Sequence, residues 1–347
     1  MSLKKVRLDD VAKLAGVSRA SAGKVLNGGT DSIRISETTR EKILAAAKQL
    51  DYQQNIAASM LAGGTSGLIG VLLDSWAQYR ATAVSREIEA RAKVRGYRVL
   101  VSSTHDDLGD MKRNLQTMRR HGTEAVLCLA HRYPGMLETF QREFGKEDDM
   151  VFLEKPVLEN ARYVSSSRET ALSELVRDCK ARGMERFCTV MSDLFWTSEA
   201  ALMREFSAAL RSNGLECTPE MTMGYPQKRT GIRERAEWVA DQILRREKRP
   251  QLIFIDDAAH AICIQNMLQS SGIRLPEELV IFGGNDDPFF KLTTPPIHSL
   301  NPRYDKIAEA LLDLAFHPSP NLRCLEIEAE YPKEYCIKIG KGKGPIK

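Results

Sequence analysis

Apolar residues at helical spacing predict three short helices near the start of the chain, over about residues 9–15, 18–27 and 37–50. Gly16 ends the first helix, and Ser18 and Ser36 are the N-caps expected for the second and third. The inward-facing apolar positions are Val11, Leu14 and Ala15 on the first helix, Ala22, Val25 and Leu26 on the second, and Ile43, Leu44, Ala47 and Leu50 on the third. Two helices around a glycine turn predict either a DNA-reading helix-turn-helix or an ordinary helical hairpin.

After residue 67 the pattern changes to short apolar runs that alternate with helical stretches. The strands are expected at 68–73, 98–102, 125–129, 150–153, 187–191, 252–255 and 279–282, and helices between them at, for example, 82–95, 168–182 and 199–212. Strands that alternate with helices in this way are typical of an α/β fold with parallel sheets.

Composition narrows the class of protein. The chain has 347 residues, enough for two or three folded units, and its apolar fraction of 43% allows a large core without any apolar run near the ~20 residues that a membrane span needs. No apolar segment follows the lysines at positions 4 and 5, so we expect no signal peptide and a cytoplasmic location. The seven cysteines are scattered, which argues against a zinc site or a disulfide framework.

The net charge lies on the N-terminal helices. Residues 1–64 carry 10 Lys or Arg and 6 Asp or Glu, whereas the other residues carry 40 of each. A local excess of four positive charges suits contact with phosphates, although small solvated helical domains often carry as much.

Four segments in one register closely resemble the head of the lactose-repressor (LacI/GalR) family of bacterial transcription regulators. They read DVAKLAGVSRAS, KVLNG, ISETTREKILAAAKQLDY and NIAASMLAG, and a strand start at Leu68 follows them. The resemblance covers residues 8–61 closely and becomes looser up to about residue 339. It implies a three-helix helix-turn-helix domain over 1–53, a hinge helix and linker over 54–66, and a two-lobed effector-binding and dimerisation domain of periplasmic-binding-protein type, built on doubly wound parallel sheets, over 67–347.

The resemblance also implies which residues contact DNA. Arg19 and Ala20 would read bases from the start of the second helix, because a guanidinium can bond guanine bidentately. Other positions match family contacts with bases or the DNA backbone: Ser18, Ser21, Lys24, Asn27, Ser36, Thr39 and Arg40. For Thr39 and Arg40, simple helix capping explains the residues about as well.

The hinge is expected to act in the minor groove. Asn55 and Ala58 fall on its short helix, and Leu61 matches the leucine that wedges between base pairs in the family. Such insertion unstacks a base step and kinks the duplex. A linker leucine that packs on its own domain is the alternative.

In the cleft between the lobes, carboxylates beyond strand ends are expected to hold an effector, since open α/β sheets bind ligands there. Asp286 matches the family's Gly-x-Asp-Asp, Asp256 replaces the amide of its Asn-Asp, and Glu154 follows another strand. Trp76, Tyr79 and Tyr225 could supply stacking surfaces. Each carboxylate could instead be a turn residue or an N-cap, and each aromatic could be packing.

Two departures from the family pattern affect the cleft. The family's ligand-gripping arginine aligns with Leu202, while Arg204 would face elsewhere on that helix, and Ser166-Ser167 replaces the usual Asp-Asn. The resemblance therefore predicts either an altered ligand or a cleft that no longer binds one.

Taken together, the sequence predicts a homodimeric repressor that binds a pseudo-palindromic double-stranded DNA operator and is controlled by a small, sugar-like molecule, without a cofactor, a metal or a membrane. Three alternatives stay open: a regulator with a vestigial cleft that answers to a protein partner, a small-molecule-binding protein, and an enzyme on the same scaffold. No phosphate loop, nucleophile elbow or catalytic His-Cys spacing supports the enzyme.

Overall fold

The computed structural model describes residues 6–27, 35–53, 65–73, 79–104, 107–130, 136–192, 197–225, 231–319 and 321–332. A helical head comes first and two α/β lobes follow. The head consists of α1 (Leu8–Ala15), α2 (Arg19–Asn27) and α3 (Glu37–Gln49). Gly16 caps α1 with a φ of 65°, a left-handed conformation that glycine adopts without strain, and this lets the chain turn sharply into α2.

A small apolar core holds the three head helices together. Its buried residues are Val11, Ala12, Ala22, Val25, Ile43 and Ala46. The predicted inward orientation is wrong for two residues, Leu14 and Leu44, whose side chains are 46% and 48% exposed. Each lies two positions from a buried alanine, Ala12 or Ala46, and so nearly opposite to it on a helix with 3.6 residues per turn.

Parallel strands form one sheet in each lobe of the described chain. In chain order they are β1 (Leu68–Leu73), β2 (Arg98–Ser103), β3 (Ala125–Cys128), β4 (Met150–Leu153), β5 (Arg162–Ser167), β6 (Phe187–Ser192), β7 (Thr222–Tyr225), β8 (Leu252–Ile255), β9 (Val280–Gly283), β10 (His298–Ser299) and β11 (Cys324–Glu328). The first lobe has the strand order β11-β5-β4-β3-β1-β2 and the second has β10-β9-β8-β6-β7. All the pairings between these strands are parallel, so the predicted α/β class with parallel sheets is confirmed.

Helices cover both faces of each sheet. They are α4 (Tyr79–Val94), α5 (Leu108–Arg120), α6 (Leu137–Phe144), α7 (Glu169–Ala181), α8 (Thr197–Ser212), α9 (Ile232–Leu244), α10 (Ala258–Ser270) and α11 (Tyr304–Phe316), with 3₁₀ turns at Pro219–Met221 and Pro288–Leu292. In the first lobe α4 and α11 pack on one face, and α5 and α6 on the other. In the second lobe α7 and α8 pack on one face, and α9 and α10 on the other. Both lobes are therefore doubly wound, as the resemblance implies.

The chain passes between the lobes at three places that lie side by side. The first crossing follows Ser167, the second includes Asn301, and the third includes Ala329 and Glu330. The amide of Ala329 donates to the Ser167 carbonyl at 2.8 Å, and Asn301 and Glu330 exchange backbone hydrogen bonds of 2.8 and 2.9 Å. This strap of backbone brings the carboxyl ends of strands from the two sheets toward a common space.

The seven expected strands are all present, with ends that differ by at most one residue from those predicted. The pattern missed β5, β7, β10 and β11. The helices between the strands also begin earlier than expected at α4 and α8, by three and two residues. No helix in the described part of the chain combines the length and the apolar character needed to cross a bilayer.

Candidate functional site

The start of α2 presents an exposed surface for contact with a partner. Ser18 caps the helix, since its Oγ accepts a hydrogen bond from the Ser21 amide at 3.0 Å, and the two hydroxyls lie 2.9 Å apart. Arg19 and Ala20 are exposed beyond this cap. The Arg19 guanidinium lies 3.4 Å from the Asp9 carboxylate of α1, and both side chains are well exposed. Asp9 is thus the carboxylate beside the arginine that the sequence assigns to base reading.

Lys24 has an unusual environment on the same helix. The residue is partly buried, and its Nζ atom is shielded from solvent without a hydrogen-bond partner among the described residues. An ammonium that is desolvated and unpaired is costly, so an external anion close to this helix would stabilise it. Lys24, expected to contact bases or the DNA backbone, is therefore less exposed in this structure than Arg19 and Ala20.

The start of α3 is a capped helix. Ser36 Oγ accepts a hydrogen bond from the Thr39 amide at 3.3 Å and lies 2.8 Å from the Thr39 hydroxyl. Ser36 is therefore the N-cap that the sequence predicts, and Thr39 takes part in the cap, which is the alternative interpretation given for that residue. Arg40 is exposed. Asn27 is the last residue of α2. The hinge residues Asn55, Ala58 and Leu61 lie outside the described residues.

Between the lobes, two ion-paired clusters lie at the carboxyl ends of the strands. In the first cluster the Glu154 carboxylate, just after β4, accepts hydrogen bonds from the Arg80 guanidinium of α4 and, at 2.9 Å, from the Ser166 hydroxyl of β5. Arg80 also donates to Ser166 at 2.9 Å. Glu154 has a φ of 66°, a left-handed conformation that is uncommon for a residue with a side chain.

In the second cluster Arg168, at the first crossing, joins two elements of the second lobe. Its guanidinium lies 3.3 Å from the Glu205 carboxylate of α8 and 3.2 Å from the Asp256 carboxylate after β8, and its side chain is only 8% exposed. Burial lowers the pKa of Arg168, but Asp256, Glu205 and Glu154 outweigh this effect and the net shift is upward. Burial raises the pKa of Glu205 above its usual range despite the neighbouring guanidinium.

A hydrogen-bond chain then links the two lobes. The Asn285 amide, after β9, donates to the Asp256 carbonyl and to Asp256 Oδ1, each at 3.0 Å. The Tyr304 hydroxyl, at the start of α11 in the first lobe, donates to Asn285 Oδ1 at 3.3 Å. Tyr79 packs edge-on against Tyr304, with ring centroids 6.2 Å apart. The two rings form an aromatic wall beside the carboxylates.

Two aspartates follow each of the strands β8 and β9, and in each pair only the second caps a helix or turn. Asp257 caps α10 through the His260 amide at 2.8 Å, and Asp287 caps a 3₁₀ turn through the Phe289 amide at 2.9 Å. Asp256 and Asp286 are the partners left facing the space between the lobes, with side chains 30% and 47% exposed. Capping therefore accounts for the second aspartate of each pair and not for the first.

The lack of a side chain at Gly284 leaves room for the Asp256 carboxylate. A Cβ built on Gly284 would lie 2.1 Å from Asp256 Oδ1 and 3.0 Å from Phe254 Cζ, so a side chain at this position would displace the Asp256 carboxylate. Asn285, next in the chain, uses this proximity to bond Asp256.

Tyr225, expected to stack on an effector, has a structural role instead. It is 8% exposed, and its ring stacks on that of His260 at a centroid distance of 4.5 Å. His260 Nδ1 in turn lies 2.6 Å from Asp257 Oδ1. The Tyr225 ring lies in the core at the edge strand β7, and the His260 ring covers one of its faces. Trp76 lies outside the described residues.

Sequence reasoning missed Arg80, Arg168 and Glu205. The signal that could have found Arg168 is its position directly after the serines that replace the family's Asp-Asn. Leu202 is 1% exposed in the core, and Arg204 is exposed on α8, as expected from their spacing. One guanidinium, that of Arg168, thus enters the space between the lobes from the crossing strap, whereas the position that aligns with the family's arginine is the buried Leu202. Within the described residues, no group of His, Cys, Asp and Glu side chains is arranged to hold a metal ion.

Comparisons with known proteins agree with this architecture. Residues 7–55 match the family model described as bacterial regulatory proteins of the lacI family, and residues 176–319 match a periplasmic binding protein-like domain. The catabolite repressor/activator of Escherichia coli K12 is 23% identical over 316 residues, which cover 89% of this chain and 91% of that protein. The ribose operon repressor of the same strain is 22% identical over 318 residues, with coverage of 89% and 92%.

Solved structures show the same fold. A Lac repressor dimer bound to operator and the anti-inducer ONPF is 20% identical, with a TM-score of 0.75 over 94% of this chain and 97% of that one. A complex of the transcriptional regulator CelR with cellobiose is 18% identical, with a TM-score of 0.62 over 94% and 98%. The likeness covers both the head and the two lobes.

Proposed function

Because the chain belongs to the LacI family of DNA-binding transcriptional regulators, with a LacI-type helix-turn-helix domain before a periplasmic-binding-protein-like domain, we propose that it is a repressor that binds a pseudo-palindromic operator as a homodimer. The observation that carries this proposal is the start of α2, where Arg19 and Ala20 are exposed on a packed three-helix head. In a helix-turn-helix this end of the second helix meets base edges in the major groove.

The head supplies both kinds of DNA contact that such a repressor needs. Arg19, which lies beside Asp9, is the base-reading residue, since a bidentate contact with guanine gives about 1–3 kcal/mol of discrimination. Lys24 would gain from a phosphate the partner that its ammonium lacks among the described residues. Ser36, Thr39 and Arg40 present the start of α3 to the DNA backbone, whose charge favours helix N-termini.

The space between the lobes is the proposed effector site. Glu154, Asp256 and Asp286 lie at its edges, and Asn285 and Tyr304 add an amide and a hydroxyl from opposite lobes. A molecule that forms hydrogen bonds with these groups would bind two arrangements of the lobes with different affinities. This difference in binding free energy couples the cleft to the head. The solved relatives bind the anti-inducer ONPF or cellobiose, which suggests a sugar-like effector.

The hinge is proposed to transmit this coupling. A change in lobe arrangement would alter the separation of the two hinges in the dimer and so order or release the segment that contains Asn55, Ala58 and Leu61. Leu61 is the proposed minor-groove wedge.

One observation favours a second candidate, a regulator whose cleft is vestigial. Glu154 and Asp256 are both ion-paired with arginines of the chain itself. A protein partner would then take the place of the small molecule, and no saturable binding of sugars would be measured by calorimetry.

The test is selection of bound sequences from a random duplex pool with the full chain. We expect enrichment of one pseudo-palindrome, and loss of affinity for it in Leu61→Ala. A chain that enriches no sequence at low salt, while the protein is folded by circular dichroism, would contradict the proposal.

A further inference from the structure

The hinge root, residues 65–67, is tied to the first lobe just before β1 begins. The Ser66 hydroxyl donates a hydrogen bond to the Gly122 carbonyl at 2.6 Å. The Gly67 carbonyl accepts one from the Arg98 amide at 2.8 Å, where the pairing of β1 with β2 starts. The first lobe therefore fixes the position from which the chain leaves it toward the hinge.

The Glu124 carboxylate connects the hinge root to a side chain of the lobe. Its Oε1 accepts a hydrogen bond from the Gly67 amide at 2.9 Å, and its Oε2 accepts one from the Tyr97 hydroxyl at 3.2 Å. Burial, together with the charge and the hydrogen bond of Glu124, raises the pKa of Tyr97, so the hydroxyl remains a donor at neutral pH. One oxygen of the carboxylate thus serves the hinge root and the other serves the lobe.

Tyr97 in turn lies against the end of α11. Its ring stacks on that of Phe316, the last residue of this helix, with centroids 4.4 Å apart and planes at 28°. The same helix begins at Tyr304, whose hydroxyl donates to Asn285 of the second lobe. A helix of 13 residues is about 20 Å long, so α11 spans the first lobe from the cleft to the neighbourhood of the hinge root.

Packing and ion pairs hold α11 along its length. Leu311 is fully buried in the core of the first lobe. Asp305, near the start of the helix, lies 3.6 Å from the Arg91 guanidinium, and Asp313, near its end, lies 2.6 Å from that of Arg95. A close-packed helix transmits a displacement from one end to the other, so contacts at the cleft and contacts at the hinge root belong to one rigid element.

We propose that Glu124 is a positioning residue for operator binding, because it fixes the hinge root to the end of α11 through Tyr97. The inference rests on the proposed function, which assigns the hinge to the minor groove. With the root already fixed, less conformational entropy is lost when the hinge engages DNA. The bridge also gives the arrangement of the lobes, which Tyr304 contacts at the cleft, a physical connection to the hinge.

The experiment is a double-mutant cycle with the full chain on the selected palindrome, at a salt concentration at which Leu61→Ala still binds. Glu124→Ala removes both hydrogen bonds of the bridge. Each is solvent-exposed and modest, so we expect affinity to fall about threefold per hinge and about tenfold per dimer. In the Leu61→Ala background the same substitution should change affinity by less than about twofold, since the hinge no longer inserts its wedge.

Two further variants separate positioning from a general structural role. Glu124→Gln keeps an acceptor for the Gly67 amide and a hydrogen-bonding partner for the Tyr97 hydroxyl, so it should restore most of the affinity. Tyr97→Phe keeps the ring on Phe316 and loses only the hydroxyl. It should weaken binding less than Glu124→Ala does and add nothing when the two are combined, because they remove the same bond.

Asp107→Ala is the matched control. The Asp107 carboxylate also accepts a hydrogen bond from a backbone amide of the first lobe, that of Asp110 at 2.8 Å, but it caps α5 beyond the opposite end of β2. This variant should lower Tm by a few degrees and leave operator affinity unchanged. Thermal unfolding of Glu124→Ala establishes that this variant is folded.

The outcomes separate this inference from the proposed function. If Glu124→Ala binds the palindrome as tightly as the parent chain, or loses the same factor in both backgrounds, the positioning role is overturned while operator binding upholds the regulator. An effect of Tyr97→Phe that adds fully to that of Glu124→Ala would overturn the connection to α11. If the chain selects no operator, the proposed function is overturned and this inference with it.

Discussion

Removal of the Arg168 guanidinium should destabilise the two-lobed domain more than any comparable surface change. The side chain is 8% exposed and lies between Glu205 and Asp256, whose side chains are 13% and 30% exposed. Arg168→Met preserves much of the length and apolar contact of the side chain. It leaves two carboxylates facing each other across the first crossing without a cation.

The expected loss of unfolding free energy in Arg168→Met follows from the burial of the ion pairs that Arg168 makes. Loss of one partner from a buried ion pair costs about 3–5 kcal/mol. Asp256 keeps solvent contact and the Asn285 amide, so we expect the lower end of this range, about 3 kcal/mol. For a domain of this size each kcal/mol shifts Tm by about 2–4 °C, which gives a fall of about 6–12 °C.

The assay is thermal unfolding followed by circular dichroism for the full chain, the variant and a matched control. Arg204→Met on α8 is that control, since Arg204 is exposed one position from Glu205, and it should change Tm by about 2 °C or less. A Tm for Arg168→Met within that same margin of the parent chain would refute the reasoning.

The same variant has a predicted pH dependence. Burial holds the pKa of Glu205 in the folded chain above its ordinary value. The stability that this carboxyl group contributes is therefore fully present below the ordinary pKa and is lost as the pH rises through the folded pKa. Without Arg168 the pKa rises further and the loss becomes larger. The deficit of Arg168→Met should therefore shrink when the pH is lowered from about 7.5 toward the ordinary glutamate pKa of about 4.3. A deficit that grows on acidification would contradict this account.

Three further changes test other parts of the molecule. Gly284→Ala should cost about 1–3 kcal/mol in urea unfolding, because its Cβ would lie 2.1 Å from Asp256 Oδ1, whereas Gly231→Ala, whose Cβ would make an ordinary contact 3.9 Å from Glu234 Cγ, should be nearly neutral. Arg19→Ala should lose about 1–3 kcal/mol of discrimination at one operator base pair with little change in Tm, and an equal loss on every sequence would contradict its role as a base reader. Lys24→Met should reduce the slope of log affinity against log salt by about one while stabilising the head, and an unchanged slope would exclude its phosphate contact.

The sequence predicted the elements whose pattern is strong. Strands such as β1, β4 and β8 are buried apolar runs, and all were found within one residue of their ends. The missed strands lack that signal: β5 ends in three serines, and β11 alternates exposed and half-buried residues at a sheet edge. Their pairing is decided by neighbours distant in the chain, which a local pattern does not contain.

The candidate site was predictable only in part, for a similar reason. Glu154, Asp256 and Asp286 follow strands and could be found from their positions. Arg80 and Arg168 enter the site from a helix face and a crossing, and only the tertiary fold brings them to the carboxylates. Tyr225 shows the converse, because the sequence suggests it as a stacking surface for an effector, whereas its ring packs on His260 instead.

The central claim, sequence-specific operator binding by a dimer, is tested most directly by titrating the chain onto the selected palindrome, a single half-site and a scrambled duplex at physiological salt. We predict two chains per palindrome and an affinity at least about 10³-fold tighter than for the scrambled duplex, with the half-site far weaker. Equal affinity for the three duplexes, or one chain per palindrome, would contradict the account.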